Sequence, residues 1–145
     1  MAPWKGSALS GIGHPLQSSA SPRAARRAEW RLPGDLGRRY AAVSGDRNPI
    51  HLHDLGAKLL GFPRTIAHGM WTQARCLAAL ERSLPAAYTV TARFRRPMLL
   101  PSRVTFGRAG DADGAIRFAV HAARAGTPHL EGRVTPGATA RAGPG

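Results

Sequence analysis

From Tyr88 to Arg95 the chain alternates, with Tyr88, Val90, Ala92 and Phe94 on one side and Thr89, Thr91, Arg93 and Arg95 on the other. A period of two is that of a strand with one face buried. After a break at Pro97 and Pro101 the pattern resumes over 103–109, where Val104 and Phe106 share a face. It returns in a third strand, where Ile116, Phe118 and Val120 alternate with Arg117, Ala119 and His121. Asp113-Gly114 between these last two is hairpin-turn chemistry, and a fourth strand is expected near 128–135. Upstream the period is helical. Ile66, Met70, Ala74, Leu77 and Leu80 recur every three or four residues, which predicts the longest helix over about 66–83, closed by Pro85. A short helix over 36–43 should stop at Ser44-Gly45-Asp46. Asn48-Pro49 forces an extended or turn conformation, and a second short helix over 52–60 should end on Gly61 as its C-cap, with Pro63 beyond.

Loops and helices followed by an antiparallel meander of three or four strands make an α+β domain, its long helix burying an apolar stripe against one face of the sheet. No internal repeat is visible. Residues 1–28 contain no acidic residue and show no periodicity, so they read as a disordered or non-native leader. Their Arg- and Ser-bearing composition superficially resembles an organellar transit peptide, but a remnant of truncation or of a mis-called start is the favoured reading. The folded unit is expected over 29–136, with a flexible tail at 137–145.

Composition changes this picture little. One domain with a real core fits 145 residues, and two do not. No apolar run is long enough to span a bilayer. A single cysteine, Cys76, excludes an internal disulfide and fits a reducing, cytoplasmic setting. Within its helix, Cys76 reads as a small core residue rather than a nucleophile. The net charge of +13 raises anionic partners, yet the basic residues are 19 Arg against 2 Lys, a bias that GC-rich coding explains as well as an anion-binding surface does. Nucleic-acid binding lacks any basic-aromatic interleaving, zinc finger or helix-turn-helix pattern to support it. The set Arg93, Arg95, Arg96, Arg103 and Arg108 could meet the phosphates of an anionic ligand, or could simply be a solvated strand face.

The chemistry concentrates in Tyr40-Ala-Ala-Val-Ser-Gly-Asp46-Arg-Asn48-Pro49-Ile-His51, followed by Gly61-Phe62 and then Ile66-Ala-His68-Gly69-Met70. Asp46 and His51, five residues apart, cannot share a helical face. They can converge if a loop stiffened by Pro49 curls back, and an acid and a base meeting on one water is what hydration requires. Near the start of the long helix, backbone N–H groups lack intrahelical partners, and Gly69 would let a carbonyl approach them. Taken singly, Asp46 would be a turn residue, His51 a half-buried histidine and His53 a surface one. His68 reads equally as packing under the helix start or as a substrate contact.

Ser-Gly-Asp-x-Asn-Pro-Ile-His with a downstream Ala-His-Gly-Met resembles the hydratase motif of the MaoC-like dehydratases, the group of the (R)-specific enoyl-CoA hydratases. The likeness covers roughly residues 30–135 and extends to Phe94, Pro97 and Pro101, similar to the family's strand-to-strand passage. It implies a hot-dog fold, in which a curved antiparallel sheet wraps a long central helix. It implies a hydratase or dehydratase acting on the 2,3 double bond of enoyl thioesters to give (3R)-hydroxyacyl thioesters. Asp46 and His51 would be the catalytic pair, with their division of labour left open, and Asn48 would fix their loop. The Gly69 N–H would polarise the thioester carbonyl, and Asn48, His68, Gly69 and Met70 complete the expected substrate-binding set. No metal and no cofactor is implied beyond coenzyme A or acyl carrier protein as part of the substrate. Many relatives are two fused hot-dog halves with the motif in the second, so a homodimer or pairing with a second hot-dog half is expected. The alternative is a catalytically incomplete half that works only with a partner.

Overall fold

The computed structural model describes residues 26–138. Strand β1 (Arg26–Leu32) leads into helix α1 (Leu36–Ser44), two short helices α2 (Pro49–Leu52) and α3 (Asp54–Leu59), and the main helix α4 (Gly69–Leu80), which a 3-10 turn at Glu81–Ser83 extends. Strands β2 (Tyr88–Phe94), β3 (Ser102–Gly110), β4 (Ile116–Ala122) and β5 (Pro128–Pro136) follow. All pairings are antiparallel, and the five strands lie in the order β1-β3-β4-β5-β2. The expected meander is therefore β3-β4-β5. Strand β2 sits outside β5, so the chain must cross the sheet between β2 and β3.

The core-facing positions are those the alternation predicts: Val104, Phe106, Phe118 and Val120 are buried, joined by Leu130 and Val134 of β5. Each such side chain contributes roughly 1.5–3 kcal/mol by leaving water. Asp113-Gly114 closes β3 onto β4, with Gly114 at φ +81°. Strand β1 lies in the stretch expected to be leader and entry to the domain, because four of its seven residues are charged and no apolar period is visible. It needs none: an edge strand buries one face, and Trp30 and Leu32 suffice. Trp30 stacks on Phe106 with ring centroids 4.8 Å apart, and the Arg75 guanidinium lies 4.5 Å over the Trp30 ring. Residues 26–28 thus belong to the sheet, whereas residues 1–25 of the expected leader and 139–145 of the expected tail lie outside the described residues.

Helix α4 departs from expectation at its start and on its face. Ile66 and Ala67 are extended, because the crossing segment between β2 and β3 pairs with them. Ala67 N–H donates to the Met98 carbonyl at 2.9 Å and Leu100 N–H to the Thr65 carbonyl at 2.8 Å. Asp54 accepts the Thr65 N–H at 2.9 Å, a bond that holds its carboxyl below the usual carboxylate range. The helix can begin only where this pairing ends, at Gly69. Its buried stripe is Thr72, Cys76 and Leu80 rather than one running through Met70 and Ala74. Met70 is 59% exposed, since 70, 74 and 78 form the face turned away from the sheet. Thr72 and Cys76 are small, and Trp71 and Leu77 pack against the core from the helix's flanks. Burial pushes the Cys76 thiol up to about 12, in keeping with an inert core residue. The helix expected over 52–60 is two helices broken at His53, whose backbone is extended, and Gly61 follows α3 at φ +92°.

Gly132 marks the tightest packing in the sheet, because a Cβ there would run into the ring of the fully buried Phe118. Gly132→Ala is expected to destabilise the domain by roughly 1–3 kcal/mol, the usual cost of overpacking a core. Chemical denaturation checks this, and an unchanged midpoint would show that Phe118 has room to move.

Candidate functional site

Helix α1 ends where Gly45 takes the left-handed conformation at φ +77° and returns its N–H to the Ala41 carbonyl. From there the loop is built by side chains that each accept an N–H two residues on. Ser44 accepts from Asp46, Asp46 Oδ1 from Asn48, and Asn48 Oδ1 from Ile50, each at 3.2 Å. The last bond makes Asn48 the N-cap of α2, with Pro49 in its first turn. Asp46 is thus both a turn residue and a free carboxylate. One oxygen supports the loop, and Oδ2 lies 3.8 Å from His68 Nε2 with the side chain 54% exposed.

His51, on α2, is 9% exposed. A carbonyl can only accept, so the 2.8 Å contact between His51 Nδ1 and the Ile66 carbonyl places the hydrogen on Nδ1 and the lone pair on Nε2. Burial lowers the imidazole below its ordinary 6.5, against smaller opposing effects from the Ile66 carbonyl and Asp46. The ring is therefore neutral at pH 7, with its basic nitrogen available. The α1 backbone holds α2 in place from behind, for a Cβ on Gly37 would collide with the His51 carbonyl.

His68 lies under the pair. It is 3% exposed, its ring stacks on His51 with centroids 3.7 Å apart and planes 23° apart, and its Nε2–H donates to the Asp46 carbonyl at 3.0 Å. One side-chain atom from each of Asp46, His51 and His68 lies within 4.8 Å of the others. Two histidines and a carboxylate have the composition of a cation site, but stacked rings direct their lone pairs along near-parallel planes rather than to a common point. Two of the four ring nitrogens are moreover spent on carbonyls.

A cavity of about 250 Å³ opens beside the pair, lined by His51, Gly69, Thr72, Phe94, Pro97 and Met98 among others. Gly69 is the first residue of α4. The helix's first internal backbone bond runs from Thr72 N–H to the His68 carbonyl, so the N–H groups before it face outward without a helical acceptor. The ring of Phe94 lies against Gly69, where a Cβ would sit 2.9 Å from Cε1. The missing side chain at 69 thus gives room to Phe94 as well as access to the N–H. A larger hollow of about 410 Å³ between Arg26, Ser83, Arg108 and Ile116 is lined by neither carboxylate nor imidazole.

The structure brings together Asp46, His51 and His68, with Asn48 in the supporting loop and Gly69 at the cavity wall. Met70 is at the surface and lines neither this cavity nor the core. His68 is enclosed by Tyr40, His51 and Asp46, and does not line the cavity. Sequence reasoning missed the parts played by the Ile66 carbonyl, Thr72 and Phe94. A backbone acceptor carries no residue signature, while Thr72 was available as a polar residue at the core stripe of a helix. Within the arginine set, Arg95 pairs with Glu131 at 3.0 Å, Arg103 with Glu29 at 3.6 Å, and Arg108 donates to Ser83 Oγ at 2.7 Å.

The fold and sequence have counterparts among known proteins. The model of the family described as "MaoC like domain" matches residues 19–131. A 3-hydroxyacyl-thioester dehydratase of Mycobacterium tuberculosis is 45% identical over 97 residues, covering 67% of this chain and 34% of that protein. A 3-hydroxybutyryl-CoA dehydratase of Methylorubrum extorquens is 40% identical over 63 residues, covering 41% and 40%. The chain therefore spans between a third and two fifths of the length of these relatives. Among solved structures, HtdX of Mycobacterium tuberculosis superposes with a TM-score of 0.71 at 42% identity, covering 75% of this chain and 46% of that one. The unliganded R-hydratase PhaJ1 of Pseudomonas aeruginosa gives a TM-score of 0.62 at 29% identity, covering 76% of each chain.

Asn48→Ala removes the acceptor for Ile50 N–H and the cap of α2. It is expected to cost about 1 kcal/mol, as loss of a side-chain N-cap does, in a denaturant titration. A change under a few tenths would mean that the loop holds its shape without that bond.

Proposed function

This chain belongs to the MaoC-like domain family, and on that premise we propose that it adds water to, or removes it from, the 2,3 double bond of an acyl thioester, interconverting enoyl and (3R)-hydroxyacyl forms. The observation that carries this reading is the neutral His51, its Nε2 lone pair free, beside the Asp46 carboxylate and next to the first turn of α4. A water held between Nε2 and Asp46 Oδ2 gives one proton to Nε2 while its oxygen attacks the β-carbon. The electron pair of the double bond moves toward the thioester oxygen, where the Gly69 N–H and the positive end of α4 stabilise it. The same proton then passes from the imidazolium to the α-carbon, so that the net change is one water added. Asp46 orients the water and balances the transient imidazolium. The thioester itself acidifies the α-position, and the chemistry calls for no metal or further cofactor. Coenzyme A or a carrier protein is the handle of the substrate. Among the described residues no helix is long and apolar enough to cross a membrane, which fits action on a carrier-bound substrate in the cytoplasm.

A second reading is favoured by the 54% exposure of Asp46. A catalytic carboxylate gains from exclusion of water, and the edge strand β2 that flanks the cavity leaves Phe94 46% exposed. With the chain spanning under half of each of the two dehydratases named above, a second copy or a separate hot-dog half covering this side would complete the site. Size-exclusion chromatography separates the cases: activity that follows a dimer peak supports self-pairing, and a folded, inactive monomer supports a missing half.

Hydration of crotonyl-CoA, followed as loss of the enoyl-thioester absorbance, tests the primary reading. Asp46→Asn and His51→Ala are each expected to lower kcat about 10²–10⁴-fold with unchanged circular dichroism. Turnover that survives both substitutions would remove the pair from the mechanism.

The base is active only when neutral, and burial depresses its pKa below 6.5. The rate is therefore expected to be level around neutrality and to fall only as pH drops below 6.5 through the lowered value. A pH profile whose acid limb lies above 6.5 would assign the base elsewhere.

A further inference from the structure

Resting on the acid-base reading above, one residue of the cluster is left without a task. His68 touches neither the cavity nor solvent, yet it contacts both members of the proposed pair. Its ring lies face to face with His51 at 3.7 Å, and its Nε2–H holds the Asp46 carbonyl at 3.0 Å. Tyr40 packs edge-on against it, with centroids 4.8 Å apart and planes at 65°. The residue is also anchored to the main helix. As N-cap of α4, it accepts the Thr72 N–H at 3.2 Å and the Thr72 hydroxyl at 3.3 Å on its carbonyl. The Asp46 loop, α2 and α4 therefore meet at a single side chain.

Stability alone does not account for an imidazole here. With Nε2 donating, Nδ1 is the acceptor, and it is buried without a hydrogen-bond partner. A buried polar atom left unpaired is costly, and an aromatic ring of similar size without nitrogens would avoid that cost. What such a ring would lack is the N–H on the Asp46 carbonyl.

We propose that His68 is a positioning residue for the hydration step: its N–H clamps the backbone of Asp46 and its ring backs His51, which together set the separation of carboxylate and imidazole. It does not contact the substrate. A displacement of about 1 Å in a reacting group can cost on the order of 100-fold in rate, so the clamp acts on kcat. His68 also lowers the proton affinity of His51 as a neighbouring imidazole, a smaller effect than burial.

Two substitutions separate the clamp from the packing. His68→Phe keeps a stacked ring and removes the donor, whereas His68→Gln returns an amide N–H at similar reach without the ring. With crotonyl-CoA, His68→Phe is expected to lose about 100-fold in kcat with KM within about threefold, and His68→Gln to recover at least tenfold of that loss. A folded His68→Phe protein with native kcat would overturn the proposal, and so would a raised KM at native kcat, which would make His68 a substrate contact. Histidine-labelled ¹⁵N NMR of the unsubstituted chain gives a readout that needs neither turnover nor a folded variant. His68 is expected as the Nε2–H tautomer, with that proton protected from exchange. An Nδ1–H tautomer would overturn the clamp. If the native chain shows the protected Nε2–H proton but hydrates no thioester, the hydration reading fails while the clamp stands.

Discussion

Two backbone hydrogen bonds, Ala67 N–H to Met98 and Leu100 N–H to Thr65, hold residues 65–67 extended across the mouth of the main helix. Everything in the site is referred to that short pairing. It postpones the start of α4 to Gly69 and so places the helix's outward-facing N–H groups at the cavity. It leaves the Ile66 carbonyl free to accept the His51 Nδ1–H, which decides the tautomer and leaves the lone pair on Nε2. Ile66 N–H in turn donates to the Ile50 carbonyl at 3.0 Å, tying the strap to α2. A helix beginning at Ile66 would have spent that carbonyl on the Met70 N–H, and His51 would have had no acceptor to orient it.

The electrostatics are arranged around few anions. Eight acidic residues face 21 basic ones, and most of the carboxylates are spent on structure. Asp111 takes Arg117 at 2.8 Å and Arg133 at 2.6 Å, and Asp113 takes Arg133 at 2.7 Å, closing the β3–β4 turn. Pairs as open to water as that of Asp113 contribute little individually, and Asp46 takes part in none of these arginine pairs. These pairs neutralise Arg95, Arg103, Arg117 and Arg133 and leave the net charge of +13 on the other basic residues.

Parts of this arrangement were legible residue by residue. The Ser44-Asp46-Asn48-Ile50 relay is local, each bond spanning two residues, so Ser-Gly-Asp-x-Asn-Pro dictates it with little outside help. The period-two runs marked the buried faces of β3 and β4, and Asp113-Gly114 marked their turn. Strand β1 was not legible, because Arg26, Arg27, Glu29 and Arg31 mask the single buried face on which Trp30 and Leu32 sit. Met70 looked like core because its spacing fitted a helical stripe. Spacing defines several candidate faces, however, and only the position of the sheet selects the one through Thr72, Cys76 and Leu80.

By itself, the sequence determined the α+β class, the local turns that present Asp46 and His51, and the family to which their motif belongs. These rest on interactions between residues a few positions apart or on periodicities that the backbone imposes. The tertiary structure decided the order of the strands, the true start of the main helix, which nitrogen of His51 bears the proton, and the burial of His68 between the two members of the pair. Those depend on backbone donors and acceptors 15 to 31 residues apart (Ile66 with His51, Met98 with Ala67, Asp46 with His68). A peptide N–H or carbonyl is the same chemical group at every position, so no residue pattern announces which of them will meet.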